Sequence, residues 1–277
     1  MTVGIVGLGL IGGSLAKAYH AQQHRVLAYD RDESITQFAI MAQAVDAPLC
    51  AQNIASCDLI LLAVYPQAAL QWLRQAASSI NPAALVLDCC GTKREICREA
   101  FPLAQKHGWL FVGGHPMAGT HFSGFKYSRA TLFKGAPMAL VPPVFDDMQL
   151  LARVQTALLP LELGAIRVCT AEEHDAIIAF TSQLAHIVSN AYVKSPTAMQ
   201  RKGISAGSFR DLTRVAWLNA QMWTQLFMEN RDHLLAELDG LIGSLQEYKS
   251  ALADGDDALL RSLLEDGKTR KEALDKS

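Results

Sequence analysis

Two short segments combine reactive side chains with bare backbone in patterns suited to redox chemistry on a small molecule. The first is Gly7, Leu8, Gly9, Leu10, Ile11 and Gly12. This GxGxxG run follows an apolar stretch at residues 3–6 and opens an amphipathic stretch at residues 14–23. In that context Gly7 permits a tight turn, Gly9 lets the backbone approach a pyrophosphate, and Gly12 lets the helix pack closely on its strand. The helix N-terminus then offers unpaired N–H groups and a positive dipole end to phosphates. The next apolar run ends at Asp30, where a carboxylate accepts hydrogen bonds from the adenosine ribose and repels a 2′-phosphate. That predicts NAD; the neighbouring Arg31, whose guanidinium could attract a 2′-phosphate, keeps NADP as the alternative. The second segment is GGHPMAGT at residues 113–120. It follows an apolar run at residues 110–112, so His115, held by glycines and Pro116, is placed beside the nicotinamide. An imidazole there can take the proton that a hydroxyl loses as hydride leaves its carbon. Read alone, His115 fits a loop histidine with a structural hydrogen bond equally well.

These groups need a scaffold, and its elements are legible as alternating patterns. Residues 3–6, 25–29, 59–64, 85–87 and 110–112 read as buried strands, rich in β-branched residues and leucine without polar alternation. Residues 14–23, 68–79 and 94–107 read as the helices between them, and 137–141 and 166–169 as two further strands. The alternation predicts an α/β fold, a doubly wound Rossmann-type sheet, over residues 1–170. The turn Val64, Tyr65 and Pro66, together with Gly91, completes the residues expected to line the cofactor. Beyond Thr170 the period becomes helical over 172–192, 219–248 and 257–274, so residues 171–277 are expected to form an all-helical domain. The acidic turn at residues 254–257 should cap its last helix. These helices carry more leucine, methionine and phenylalanine than one small bundle easily buries, which predicts a homodimer through them, with a compact monomeric bundle as the alternative.

Composition narrows the function classes. The chain of 277 residues has a formal charge of −2, leaving no basic excess for nucleic acid. No apolar run reaches membrane-spanning length, and no basic n-region precedes the first strand, so neither a membrane span nor a conventional signal peptide is expected. The cysteines at 50, 57, 89, 90, 97 and 169 lack C-x-x-C or metal-ligand spacing, which suits reduced thiols in the cytoplasm and no bound metal.

With GLGLIGGSLA at 7–16, GGHPMAGT at 113–120, FRDLTRVA at 209–216, then Met222-Trp223 and Glu229-Asn230, the sequence resembles the prephenate/arogenate dehydrogenase family over nearly its whole length. The resemblance implies that His115 is the catalytic histidine and that Arg214 grips a substrate carboxylate, a task for which a planar guanidinium is suited. It also implies that His186, Thr120, Asp211 and Trp223 line or brace the substrate pocket. Asp211 is expected to pair with Arg210 or Arg214, and Trp223 fits the core as well as the pocket. The chain departs from the family pattern in DCCGTK at 88–93, where Gly91 replaces a serine and Thr92 offers the nearest hydroxyl. It departs again at Gln183 and Ala185, and at His121, which bears on substrate choice. The implied reaction is the NAD-dependent oxidative decarboxylation of prephenate or arogenate, in tyrosine biosynthesis. Two alternatives are a 3-hydroxyacid or imine-type reductase of similar domain order, and a dinucleotide sensor without catalysis.

Overall fold

A computed structural model describes residues 1–120, 122–200 and 203–276. His121, whose identity was expected to bear on substrate choice, lies outside them. Eight strands form one sheet: β1 (Thr2–Val6), β2 (Arg25–Tyr29), β3 (Ala47–Pro48), β4 (Leu59–Leu62), β5 (Leu85–Asp88), β6 (Leu110–Pro116), β7 (Pro137–Val141) and β8 (Ala165–Val168). Their order is β3-β2-β1-β4-β5-β6-β7-β8, parallel except where β7 runs antiparallel to β6. The intervening helices are α1 (Leu10–Ala21), α2 (Glu33–Met41), α3 (Pro66–Ala76), α4 (Arg94–His107) and α5 (Met148–Leu158).

Strand alternation explains why both faces are covered. Val3, Ile5, Leu59, Leu61, Leu85 and Leu87 point into one core with α1 and α5, while Val6, Ile60, Leu62 and Val86 point into the other with α3 and α4. A strand buried on both faces has no room for a polar alternation, hence the continuous apolar runs. The large polar side chains in these layers find partners: the Tyr19 hydroxyl donates to the Ala157 carbonyl at 2.8 Å, and the Trp109 indole to that of Ala77 at 3.1 Å.

The helical region starts at α6 (Ala171–Ile178), capped by a reciprocal pair between Thr170 and Glu173. The helix expected over 172–192 is interrupted by a π-helical segment, Ala179–Leu184, before continuing as α7 (Ala185–Tyr192). After α8 (Gly207–Thr213), the helix expected over 219–248 is two helices, α9 (Ala220–Glu229) and α10 (Arg231–Asp254). They part at Asn230, which is fully buried and spends its amide on the Asp175 carbonyl at 2.8 Å and the Gln183 side chain at 2.9 Å. The final helix, α11 (Asp257–Leu274), starts as expected, with Gly255 left-handed and Asp256 accepting from the Leu259 N–H. Among the described residues, no helix is long and apolar enough to cross a membrane.

Candidate active site

The cofactor end begins with the glycine turn between β1 and α1. Gly7 has φ +89°, and a side chain there would meet Val64 at 2.4 Å. A Cβ on Gly12 would sit 1.8 Å from the Gly7 carbonyl oxygen, whereas Gly9 faces open space. That opening is the approach a pyrophosphate needs, and α1 begins there with no side chain capping its first N–H groups. Leu10 and Ile11 form its first turn. Leu8, expected among the cofactor-binding residues, is buried, and its N–H donates to Asp30 Oδ2 at 2.7 Å. Asp30 also accepts from the Asp32 N–H at 3.0 Å, so its carboxylate is fixed to the glycine turn, with Arg31 exposed beside it. Val64 and the exposed Tyr65 precede Pro66, the first residue of α3.

His115 is not in a loop. The strand expected to stop at Val112 runs on to Pro116, and its second half changes partner, pairing His115 with Ala139 of antiparallel β7. The two glycines that suggest a loop are there for packing. A Cβ on Gly113 would lie 2.7 Å from Cys97 Sγ, and one on Gly114 would lie 2.5 Å from the Asp88 carbonyl oxygen. The close approach is locked by the Gly114 N–H, which donates to Asp88 Oδ1 at 3.0 Å. Asp88 in turn forms a fully buried ion pair with Lys93 and accepts from the Cys90 N–H at 2.8 Å. Removing one partner of such a pair typically costs about 3–5 kcal/mol.

Behind His115 lies a polar group that the sequence reading missed. His115 Nδ1 is 3.0 Å from His174 Nε2, and His174 Nδ1 is 2.7 Å from Asp175 Oδ1. Both residues of α6 are buried, and Asp175 also accepts the N–H groups of Lys93 at 2.7 Å and Arg94 at 2.9 Å. A residue of the helical region thus caps α4, whose own N-cap has no side-chain bond. Burial works against the Asp175 charge, but the bond from His174 and the two backbone N–H groups hold its carboxyl below the usual range. Burial, the His174 ring and the Lys93 ammonium push the His115 imidazole well below its ordinary value. Burial also lowers His174, with Asp175 pulling the other way. Arg94 then ties α4 to Asp232 in a two-point ion pair and to Asn230 at 3.1 Å.

The helical region supplies the opposite wall. Leu226 of α9 covers Gly91, where an added Cβ would meet its methyl groups at 3.2 and 3.3 Å. The space of the family's serine is therefore filled by a leucine. Thr92 does not replace that serine toward the cleft: it is buried and donates to Glu229 Oε2 at 2.5 Å. Burial raises the Glu229 carboxyl, against the hydrogen bonds from Thr92 and Gln225. One turn before Leu226, Trp223 is half-buried and lies against the His186 ring, with centroids 4.0 Å apart. His186 Nδ1 donates to the Ser182 carbonyl at 2.7 Å, inside the π-helical segment. Burial lowers its pKa, and so does Arg214, whose charge is close enough to act on the ring. Arg214, Asp211 and Thr120 are exposed. The expected bracing pair is absent: among the described residues, Asp211 forms no ion pair with Arg210 or Arg214. All three side chains are solvated, so a pair between them has little to gain. Thr120 accepts from the Phe122 N–H at 3.3 Å.

A glycine cradle with a fixed acid, a buried imidazole group and a wall carrying Arg214, His186 and Trp223 are the parts of a hydroxyl-oxidising site. The same chain resembles known proteins of one family over both of its halves. The prephenate dehydrogenase nucleotide-binding domain model matches residues 13–166, and the prephenate dehydrogenase dimerization domain model matches residues 170–266. A cyclohexadienyl dehydrogenase from Zymomonas mobilis is 30% identical over 97% of this chain and 94% of its own. The prephenate dehydrogenase of Aquifex aeolicus, solved with hydroxyphenyl propionate and NAD+, superposes with a TM-score of 0.85 at 26% identity, covering 99% and 98% of the two chains. The arogenate dehydrogenase of Synechocystis gives 0.81 at 28%, covering 99% and 100%. An imine reductase from Streptomyces aurantiacus reaches only 0.54 at 15% identity, over 99% and 95%, and shares the fold alone. By sequence over both halves and by structure over its full length, the chain belongs to the prephenate dehydrogenase family.

Proposed function

We propose that this chain carries out NAD-dependent oxidative decarboxylation of a cyclohexadienol, prephenate or arogenate, as a step of tyrosine biosynthesis. The observation that carries this reading is His115, set at the carboxyl edge of the sheet on the strand that follows β5, where a doubly wound fold binds its ligands. The family membership, the NAD+ complex of the Aquifex aeolicus relative and the open cradle at Gly9 support it. Gly7, Gly9, Gly12, the first turn of α1 and Asp30 would hold the dinucleotide. When bound, NAD supplies the hydride acceptor for the carbinol carbon. His115 accepts the proton of the ring hydroxyl as that carbon is oxidised. The C–C bond to the ring carboxylate breaks, its electron pair completes the aromatic ring, carbon dioxide departs, and the ring oxygen takes its proton back from His115. Aromatisation makes the sequence effectively irreversible. The products are 4-hydroxyphenylpyruvate from prephenate or tyrosine from arogenate.

Arg214 is assigned to a substrate carboxylate, with His186 and Trp223 beside it as pocket wall. In the free chain this guanidinium is solvated; ligand binding would desolvate the pair. Loss of one partner of such a pair typically costs about 2–5 kcal/mol, which is at least tenfold in affinity. Steady-state kinetics with prephenate and arogenate, each with NAD and NADP, test the reading. Turnover of one or both ring substrates with NAD is expected. In Arg214→Ala the KM for the ring substrate should rise at least tenfold while that for NAD stays within about twofold. Equal weakening of both ligands removes Arg214 from the substrate site, and absence of turnover with either substrate overturns the function.

A further inference from the structure

We propose that His174 and Asp175 are positioning residues that fix the tautomer of His115, so that it presents an unprotonated Nε2 to the substrate hydroxyl. The proposal rests on the reading of His115 as the proton acceptor, and hydrogen-bond bookkeeping carries it. Each hydrogen-bonding neighbour of the Asp175 side chain is a donor or can be one: the backbone N–H groups of Lys93 and Arg94, and His174 Nδ1 at 2.7 Å. A carboxylate so placed requires the proton on His174 Nδ1. His174 is only 2% exposed, and the Lys93 ammonium opposes a second proton on the ring. The ring is therefore neutral, and its Nε2 carries a lone pair. That lone pair faces His115 Nδ1 at 3.0 Å, so the proton of neutral His115 sits on Nδ1. His115 Nε2 is left bare, with no protein hydrogen-bond partner among the described residues.

The reverse arrangement fails at its far end. A proton on His115 Nε2 would require His174 to donate from its own Nε2. Either His174 would then be a buried cation, or its Nδ1 lone pair would confront Asp175 Oδ1 at 2.7 Å. The remaining charged groups around His115 are Lys93 and Asp88, a buried ion pair whose ammonium disfavours a second proton on the His115 ring without choosing between its nitrogens; its β7 neighbours, Ala139 and Met138, do not titrate. Free imidazole favours neither nitrogen strongly enough to make this arrangement automatic, so the two residues of α6 supply the bias. They also act after proton transfer: an imidazolium at His115 donates from Nδ1 to a ring already anchored on a carboxylate. The helical region thereby sets the protonation state of a residue carried by the dinucleotide-binding sheet.

The test is imidazole ¹⁵N spectroscopy of histidine-labelled protein, with the His115 signals assigned by their loss in His115→Asn. Near neutral pH they should show Nδ1 protonated and Nε2 unprotonated. His174→Phe, which keeps the ring volume and removes the acceptor, should raise the Nε2-protonated form and lower kcat on the order of tenfold or more, with KM little changed. His174→Gln, whose carbonyl can accept from His115 Nδ1, should restore most of the loss. An Nε2-protonated His115 in the unmodified protein overturns the proposal whatever the variants do. Equal kcat losses in the Phe and Gln variants, with the tautomer unmoved, also overturn it. Normal turnover in His115→Asn would instead dismiss His115 as the proton acceptor and leave the tautomer measurement standing.

Discussion

Asp30 shows how a single carboxylate acquires a defined task from its surroundings. Its two oxygens are held by the Leu8 and Asp32 N–H groups, so it cannot swing away from a 2′-phosphate placed at the end of β2. Facing that phosphate costs like-charge repulsion in addition to the lost ribose hydrogen bonds. NAD should therefore exceed NADP in kcat/KM, and Asp30→Ser should erode the preference by about tenfold or more, equivalent to roughly 1.4 kcal/mol, while Arg31 remains. Unchanged discrimination in the variant would place the selectivity elsewhere. Residues of this kind were legible because they belong to a local pattern, strand, glycine turn, helix, strand, acid. His174 and Asp175 were not. In sequence they follow Glu172 and Glu173 and look like the polar side of a helix. Their burial comes from α4 and β6, some 60 to 80 positions away, as the pairings with His115 and Lys93 show. The pH dependence belongs to this scale as well. Burial and the Lys93 ammonium hold His115 below its ordinary value, and its neutral form is the one that accepts a proton. Loss of kcat through His115 should therefore begin only below about pH 6.5, the unperturbed histidine range; a pH–rate profile falling from higher pH on its acid side would contradict this.

At the level of elements, the unexpected feature is how strands and helices end. The strand carrying His115 was expected to finish three residues before it, because Gly-Gly-His-Pro has poor strand propensity. Pairing to β7 and the closeness of Asp88 and Cys97 override that propensity. The break at Asn230 was invisible for a similar reason: the apolar period continues across it, and only a tertiary demand on the Asn230 amide interrupts the helix. The departure at Gly91 also becomes an element-level fact, because α9 lays Leu226 where a side chain at 91 would stand. Leu226 must yield by a few tenths of an ångström to accept one. Gly91→Ser should therefore destabilise the protein by about 1–2 kcal/mol, the range for modest overpacking. In a Leu226→Ala background the same serine should cost less than about 0.5 kcal/mol, the residual expected of uncoupled sites. Denaturant unfolding of the four proteins measures the coupling. Equal costs in both backgrounds would mean that Leu226 is not what excludes the serine.

For the whole molecule, the apolar excess of the helical region has one economical explanation. On α10, Leu235, Ile242, Leu245 and Leu252 are all at least half exposed, and their spacing of seven, three and seven places them along one face of the helix. α11 packs beside α10, joined by the bond from the Tyr248 hydroxyl to the Leu263 carbonyl at 3.2 Å, yet it leaves this stripe uncovered and adds Leu259 and Leu264 to the exposed apolar surface. A stripe of this length is costly in water at roughly 25 cal/mol per Å² of apolar area. The family model matched over residues 170–266 is a dimerization domain, and a two-fold pairing of identical stripes is the simplest closed arrangement that would cover this face. Sedimentation at micromolar concentration should therefore show a species of twice the 30.1 kDa chain mass. Ile242→Asp combined with Leu245→Asp should convert it to a single chain, since two carboxylates would be desolvated at the centre of the contact. Because the stripe lies on α10 and the paired imidazoles of His115 and His174 lie on β6 and α6, the dissociated variant should keep the His115 tautomer pattern of the parent. An unmodified protein that sediments at 30.1 kDa, or a double variant that remains paired, would show that this face is not the contact.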